Sequence, residues 1–168
     1  MNAQLPFPIS PQDALTQIVR PALAMLPARM SSPQAAVQML AQALQESRLK
    51  HRRQIRGPAR GLWQFETGGI AGVLRHSASK VHARSVCVSR GVEPVTSEVY
   101  ARLEHDDILA AAFARLLLWT DPRPLPKLGD TDEAWALYTR TWRPGKPHRH
   151  TWDKLYHDAH RAVIGVHP

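Results

Sequence analysis

The stretch from Asp106 to Trp119 constrains this chain most: Asp-Asp-Ile-Leu-Ala-Ala-Ala-Phe-Ala-Arg-Leu-Leu-Leu-Trp. Ile108, Leu109, Ala112, Phe113, Leu116 and Leu117 recur at helical spacing and form an apolar face too broad for one neighbour to cover. Such a helix belongs at the centre of a core, ringed by other elements. Arg115 interrupts the run, which is also well short of the ~20 apolar residues that cross a bilayer, so no membrane span is expected.

The rest of the chain supplies amphipathic segments that could form that ring. Ser10-Pro11 and Ser32-Pro33 each pair an N-cap residue with a proline suited to the first helical turn. The first opens a helix through Ala14, Ile18 and Val19 that should kink or stop at Pro21. The second opens one in which Ala36, Met39, Leu40, Ala43 and Leu44 share a face and Glu46 falls in the last turns. From Arg48 to Arg60 apolar periodicity disappears, and Gly57-Pro58 marks a turn in what reads as an exposed loop or irregular hairpin. Gly68-Gly69 reads as a second bend, followed by one or two short helices up to Arg90. Thr96 to Arg102 is helical in pattern. Beyond the central helix, Pro122, Pro124 and Pro126 impose an extended connector, and Asp130 and Glu133 stand at capping-box spacing before a helix with Trp135 and Tyr138. Arg143-Pro144-Gly145-Lys146-Pro147 ends it, and Thr151 to Val163 makes a last helix.

At 168 residues and 43% hydrophobic content the chain is long enough to bury one core. The expectation is a mainly α, single-domain architecture with a small irregular or β-hairpin segment after the Glu46 helix. Residues 1–30 form an N-terminal helical segment packed on a unit spanning 31–168. A net charge of +8 favours polyanions, a class that includes nucleic acid, anionic lipid and bacterial envelope polymers. Cys87, alone in an apolar run, is expected as a buried thiol and has no internal disulfide partner. Met1 to Val19 carries no Lys or Arg and is broken by prolines, so a secretory leader is not expected.

The chemistry concentrates around Glu46. Cleaving a β-1,4 glycosidic bond needs an acid that protonates the leaving oxygen, and a glutamate serves near neutral pH only where an apolar setting raises its pKa. Leu40, Ala43 and Leu44 precede Glu46, and Leu62, Trp63 and Phe65 return soon after, so one side of the carboxyl can be apolar while the other opens to a groove. Fifteen residues after the glutamate, Gly61-Leu62-Trp63-Gln64 begins. Gly61 would let backbone approach a sugar closely, Gln64 could bond a hydroxyl or N-acetyl group, and Trp63 and Trp142 could offer flat faces for stacking. Glu66 is the second carboxylate at hand, and its position in the fold decides whether a two-carboxylate mechanism is open.

Glu46-Ser47, with Ala59, Gly61, Leu62 and Gln64 at matching offsets, resembles the signature of the lytic transglycosylases of the lysozyme superfamily. There a Glu-Ser pair ends a helix and a Gly-Ala-x-Gly-Leu-Met-Gln segment follows a short loop. Trp63 stands where methionine is usual, Pro58 replaces the first glycine, and the similarity spans Glu46 to Gln64. The resemblance implies a lysozyme-like domain that cuts peptidoglycan between N-acetylmuramic acid and N-acetylglucosamine. It implies Glu46 as the catalytic acid/base, and Ser47, Gly61, Leu62, Trp63 and Gln64 at the substrate. Ala136-Leu137-Tyr138 loosely resembles the family's Ala-Tyr-Asn-Ala-Gly stretch, whose tyrosine faces the glutamate, and this makes Tyr138 a candidate. No cofactor is implied. His148, His150, His157 and His160 lack the carboxylates or cysteines that complete a metal set, so no metal is expected.

With no leader expected, a bacteriophage setting fits this reading, with glycan strands as substrate and virion or tail proteins as partners. The protein would sit in the virion, or in the host cytoplasm before release, and act at the periplasmic wall; an endolysin role is the variant of this reading. The rival is a structural virion or nucleic-acid-binding protein that keeps a lysozyme-like fold without activity. The basic run Lys50, His51, Arg52, Arg53, Arg56 and Arg60 would suit weak electrostatic binding of that kind, or steering of acidic muropeptides, as readily as a plain solvated face.

Overall fold

The computed structural model describes residues 3–165, and the chain is mainly helical over that range. Its helices are α1 (Pro11–Ala14), α2 (Arg20–Ala24), α3 (Pro33–Ser47), α4 (Thr67–Arg75), α5 (Lys80–Ser89), α6 (Thr96–Leu103), α7 (Asp107–Trp119), α8 (Thr131–Trp142) and α9 (Arg149–Ile164). A π turn (Leu15–Val19) joins α1 to α2, and a 3-10 turn (Ala28–Met30) precedes α3.

Helix α7 is the hub, touching α2, α3, α4, α5, α6, α8 and the π turn. Its side chains from Leu109 to Ala114 are fully buried, as the breadth of the apolar face requires. Asp106 caps it by accepting the Leu109 amide at 3.0 Å. Arg115, buried mid-helix, donates from Nε to the Met30 carbonyl at 2.8 Å and lies 5.2 Å from the Trp119 ring. Burial with no carboxylate partner lowers its guanidinium to about 10. The arginine thus ties the turn before α3 to the hub.

Helices α3 and α9 run along one another as the most extensive helix pair, and α8 packs on α9. Ser32 caps α3 through the Ala35 amide at 3.0 Å, with Pro33 in the first turn. Asp130 caps α8 through the Glu133 amide at 3.1 Å. Buried side chains from the N-terminal segment, α3, α7, α8 and α9 belong to one hydrophobic cluster, with Cys87 inside it.

Three local expectations are corrected. Of the two outcomes expected at Pro21, a kink or a stop, the stop does not occur: the chain stays helical to Ala24. Proline has no N–H to return to the previous turn, and the chain absorbs this by widening into the π turn, where the Arg20 amide reaches the Leu15 carbonyl. Gly68-Gly69 is the first turn of α4, not a bend. The Phe65 ring lies where a side chain at 69 would sit, with a Cβ there 3.2 Å from it. The basic loop is not a free solvated face either. Arg52, largely buried, forms a two-pronged pair with the buried Asp107 at 2.8 Å, and Arg53 and Arg60 converge on Glu104. Among the described residues this segment holds isolated antiparallel bridges, Arg53 to Arg60 and Arg60 to Phe65, and no sheet.

Candidate active site around Glu46

Helix α3 ends at Ser47, and the chain turns through two consecutive left-handed residues, Arg48 (φ 54°) and Leu49 (φ 55°). Neither is glycine, so surrounding bonds must hold them there. The Arg48 amide closes on the Leu44 carbonyl at 3.0 Å, and the Leu49 carbonyl accepts the Ile9 amide at 3.0 Å. Ser47 Oγ donates to the Ala43 carbonyl and accepts the Leu49 amide at 3.2 Å. The reversal leaves Glu46 half-buried on the last turn, facing a groove of about 860 Å³.

Tyr138, on α8, donates its hydroxyl to Glu46 Oε1 at 2.5 Å. Its ring is stacked on Trp152, 5.4 Å between centroids and 5° from parallel, and it also meets Trp135 at 5.3 Å. The stack on Trp152 across the α8–α9 seam and the tilted contact with Trp135 on its own helix fix where the phenol oxygen points. Burial raises the Glu46 carboxyl from 4.5 to about 7, against the opposing pulls of the Tyr138 hydroxyl and the nearby Arg48 charge. Burial, with the facing carboxylate, also holds the Tyr138 phenol far above its ordinary range. Arg48 folds its guanidinium back onto the Leu44 and Gln45 carbonyls, and burial lowers its own pKa. At neutral pH the site therefore holds a carboxyl poised between its two forms beside a phenol that keeps its proton.

Of the residues expected at the substrate, the structure gathers Glu46, Gln64, Glu66, Tyr138 and Trp142 around this groove. Gln64 commits its Nε2 to the Gly61 carbonyl at 2.8 Å. Glu66 is exposed, at the N-cap position of α4. Trp142 stands against Phe65 on the groove wall, 5.6 Å between centroids.

The others lie elsewhere. Trp63 has no exposed ring face: it is fully buried, with its indole N–H on the Met39 carbonyl at 2.9 Å. Its contribution is indirect, since its carbonyl accepts the Trp142 indole at 3.0 Å and so sets the groove wall. Leu62 is fully buried in the core, and Ser47 is buried as a brace for the turn. Gly61 is required for a different close approach than the one expected. Its φ is +78° and a Cβ there would lie 3.0 Å from the Leu103 carbonyl, so the glycine fits backbone to α6 and not to a sugar.

Two contributors carried weak sequence signals. Arg48 reads as part of the basic run, though its position two residues after Glu46 could have singled it out. Trp152 reads as core, which it is, and its stacking partner was visible only across the fold. Among the described residues no cluster of His, Cys, Asp and Glu is arranged to hold a metal ion. A scan against protein-family models, a search of curated proteins and a search of solved structures each return no match.

Proposed function

We propose that the chain is a lysozyme-like enzyme that cleaves peptidoglycan glycan strands by the lytic transglycosylase route, with Glu46 as a single acid/base. The observation that carries this reading is the recessed Glu46 carboxyl, raised to about 7 and held by the Tyr138 hydroxyl at the side of an open groove. A surface glutamate ending a helix gains none of these features.

The steps follow from the geometry. Protonated Glu46 gives its proton to the bridging oxygen as the C1–O bond breaks, and becomes a carboxylate. The Tyr138 hydroxyl bonds that charged form and so favours the proton's departure. The carboxylate then takes the proton of the sugar's own C6 hydroxyl as that oxygen closes on C1, forming the anhydro ring and regenerating the acid. One glutamate gives one proton and recovers one, so no second carboxylate is required. The half-buried Trp142 ring, backed by the buried Phe65 ring, supplies an apolar wall on which a sugar ring can rest. The rival, a binding protein that uses the basic loop, has less to draw on once Arg52, Arg53 and Arg60 are engaged by Asp107 and Glu104.

The test is loss of turbidity in a suspension of purified sacculi. Wild type should clear it, and Glu46→Gln should slow clearance by about 10²–10⁴-fold, the range for losing a general acid. Clearance by the variant at the wild-type rate overturns the assignment.

A further inference from the structure

The groove has an asymmetric rim. Its recessed side holds Glu46, and one edge is formed by the α8–α9 connector, which carries Arg143, Lys146 and His148, all exposed and all lining the groove. Prolines at 144 and 147 restrict this short connector, and Arg143 anchors it as the left-handed cap of α8, its amide on the Thr139 carbonyl at 3.1 Å. Among the described residues neither Arg143 nor Lys146 pairs with a carboxylate. The contrast with the basic loop across the groove is sharp, because there Arg52 is already paired with Asp107 of α7, and Arg53 and Arg60 with Glu104, the C-cap of α6. The cations left free to meet a ligand at the groove are those of the connector. His51, the Tyr138 phenol and the exposed Glu66 are the remaining titratable groups at the groove.

We propose that the Arg143–Lys146 edge is a subsite for the carboxylates of the peptide stems borne by the glycan, so that the protein prefers peptide-bearing strands over stripped ones. The proposal rests on the glycan-cleaving reading given above. In a peptide-bearing strand each lactyl carboxyl is consumed in the amide to its stem, so the sugars are neutral and the free carboxylates lie on the stem peptides, out to the side of the glycan. A strand seated against Trp142 with its cut bond at Glu46 projects such stems sideways, past the edge that bears the unpaired cations. Two exposed cations add modest affinity and mainly select between substrates, as rim charges do.

Binding separates this proposal from the catalytic one. Proteins with the wild-type edge and with Arg143→Gln/Lys146→Gln, both carrying Glu46→Gln so that no strand is cut, are titrated at low salt with soluble, uncrosslinked, peptide-bearing glycan strands free of teichoic polymers. The same titration is made after an amidase has removed the stems, which leaves a carboxylate on each lactyl group close to the sugar in place of those farther out on the stem, and bound fractions are read from tryptophan fluorescence. The protein with the wild-type edge should bind peptide-bearing material about five-fold more tightly, and the edge variant should reduce that preference to within about two-fold. Equal binding of both materials by the protein with the wild-type edge, or an undiminished preference in the edge variant, overturns the subsite. Far-ultraviolet circular dichroism and a thermal melt of the variant establish that it is folded. Because no turnover is needed, absence of cleavage would count against Glu46 as catalyst and leave the binding result decisive for the subsite.

Discussion

The hydroxyl of Tyr138 lies 2.5 Å from Glu46 Oε1, joining two residues 92 positions apart in the chain. Glu46 hangs from the last turn of α3, and Tyr138 is braced by Trp152 of α9. The bond exists because α3, α8 and α9 close on one another, so the acidity of Glu46 is a property of the assembled fold.

This relationship sets the pH profile. On the proposed route Glu46 acts first as an acid, so activity should fall as pH rises through about 7, by about tenfold per unit above it. The Tyr138 hydrogen bond favours the charged carboxylate and lowers the Glu46 pKa. Tyr138→Phe should therefore move the alkaline limb of kcat/KM to higher pH while reducing its maximum by about 10- to 100-fold. A limb that stays in place would mean another group governs it.

Stability should show the same group with the opposite benefit. Because the folded pKa of Glu46 lies above its value of 4.5 in the unfolded chain, the native state holds the proton more tightly, and stability is lost as pH rises from about 4.5 to about 7. Glu46→Gln removes that cost and should raise stability at pH 8 by roughly 1 to 3 kcal/mol, with no gain below pH 4. Thermal melts at the two pH values measure it.

The loop after α3 should depend on one ion pair far more than on its neighbours. Asp107→Asn leaves the buried Arg52 guanidinium unpaired and should cost about 3–5 kcal/mol in chemical denaturation. Arg53→Ala removes a pair whose arginine side chain is 63% exposed and should cost less than about 1 kcal/mol.

Gly61→Ala tests why that glycine is present. With φ at +78° and the Leu103 carbonyl 3.0 Å from the new Cβ, the substitution should destabilise the protein by about 1–3 kcal/mol. A loss of substrate affinity at unchanged stability would instead return Gly61 to the groove.

What the sequence disclosed follows the range of each interaction. Local signals were legible: the Ser32 and Asp130 caps, the breadth of the α7 face, and Glu46 near the end of its helix all depend on residues within a few positions. Long-range partners were not. Nothing near Arg52 in sequence points to Asp107, 55 residues on, so the run of arginines left ligand steering and a solvated face equally open, and the ion pairs by which three of them brace the fold were not among the readings. Trp63 shows the limit most clearly. An aromatic residue beside a sugar-site pattern reads as a stacking platform, yet the Met39 carbonyl takes its N–H and the core closes over both ring faces, leaving the wall to Trp142. The π turn escaped notice because the penalty of Pro21 is paid by a change of helical register that no residue type announces.

The most direct test of Glu46 as the acid/base of a lytic transglycosylase is mass spectrometry of the muropeptides released from purified sacculi by wild type and by Glu46→Gln. The account predicts anhydro-muropeptides from wild type and their disappearance with the variant. Reducing-end products would contradict the single-glutamate route and bring Glu66 into the mechanism. Release of the same products by Glu46→Gln, or no release by wild type while a control muramidase digests the same sacculi, would contradict the central claim.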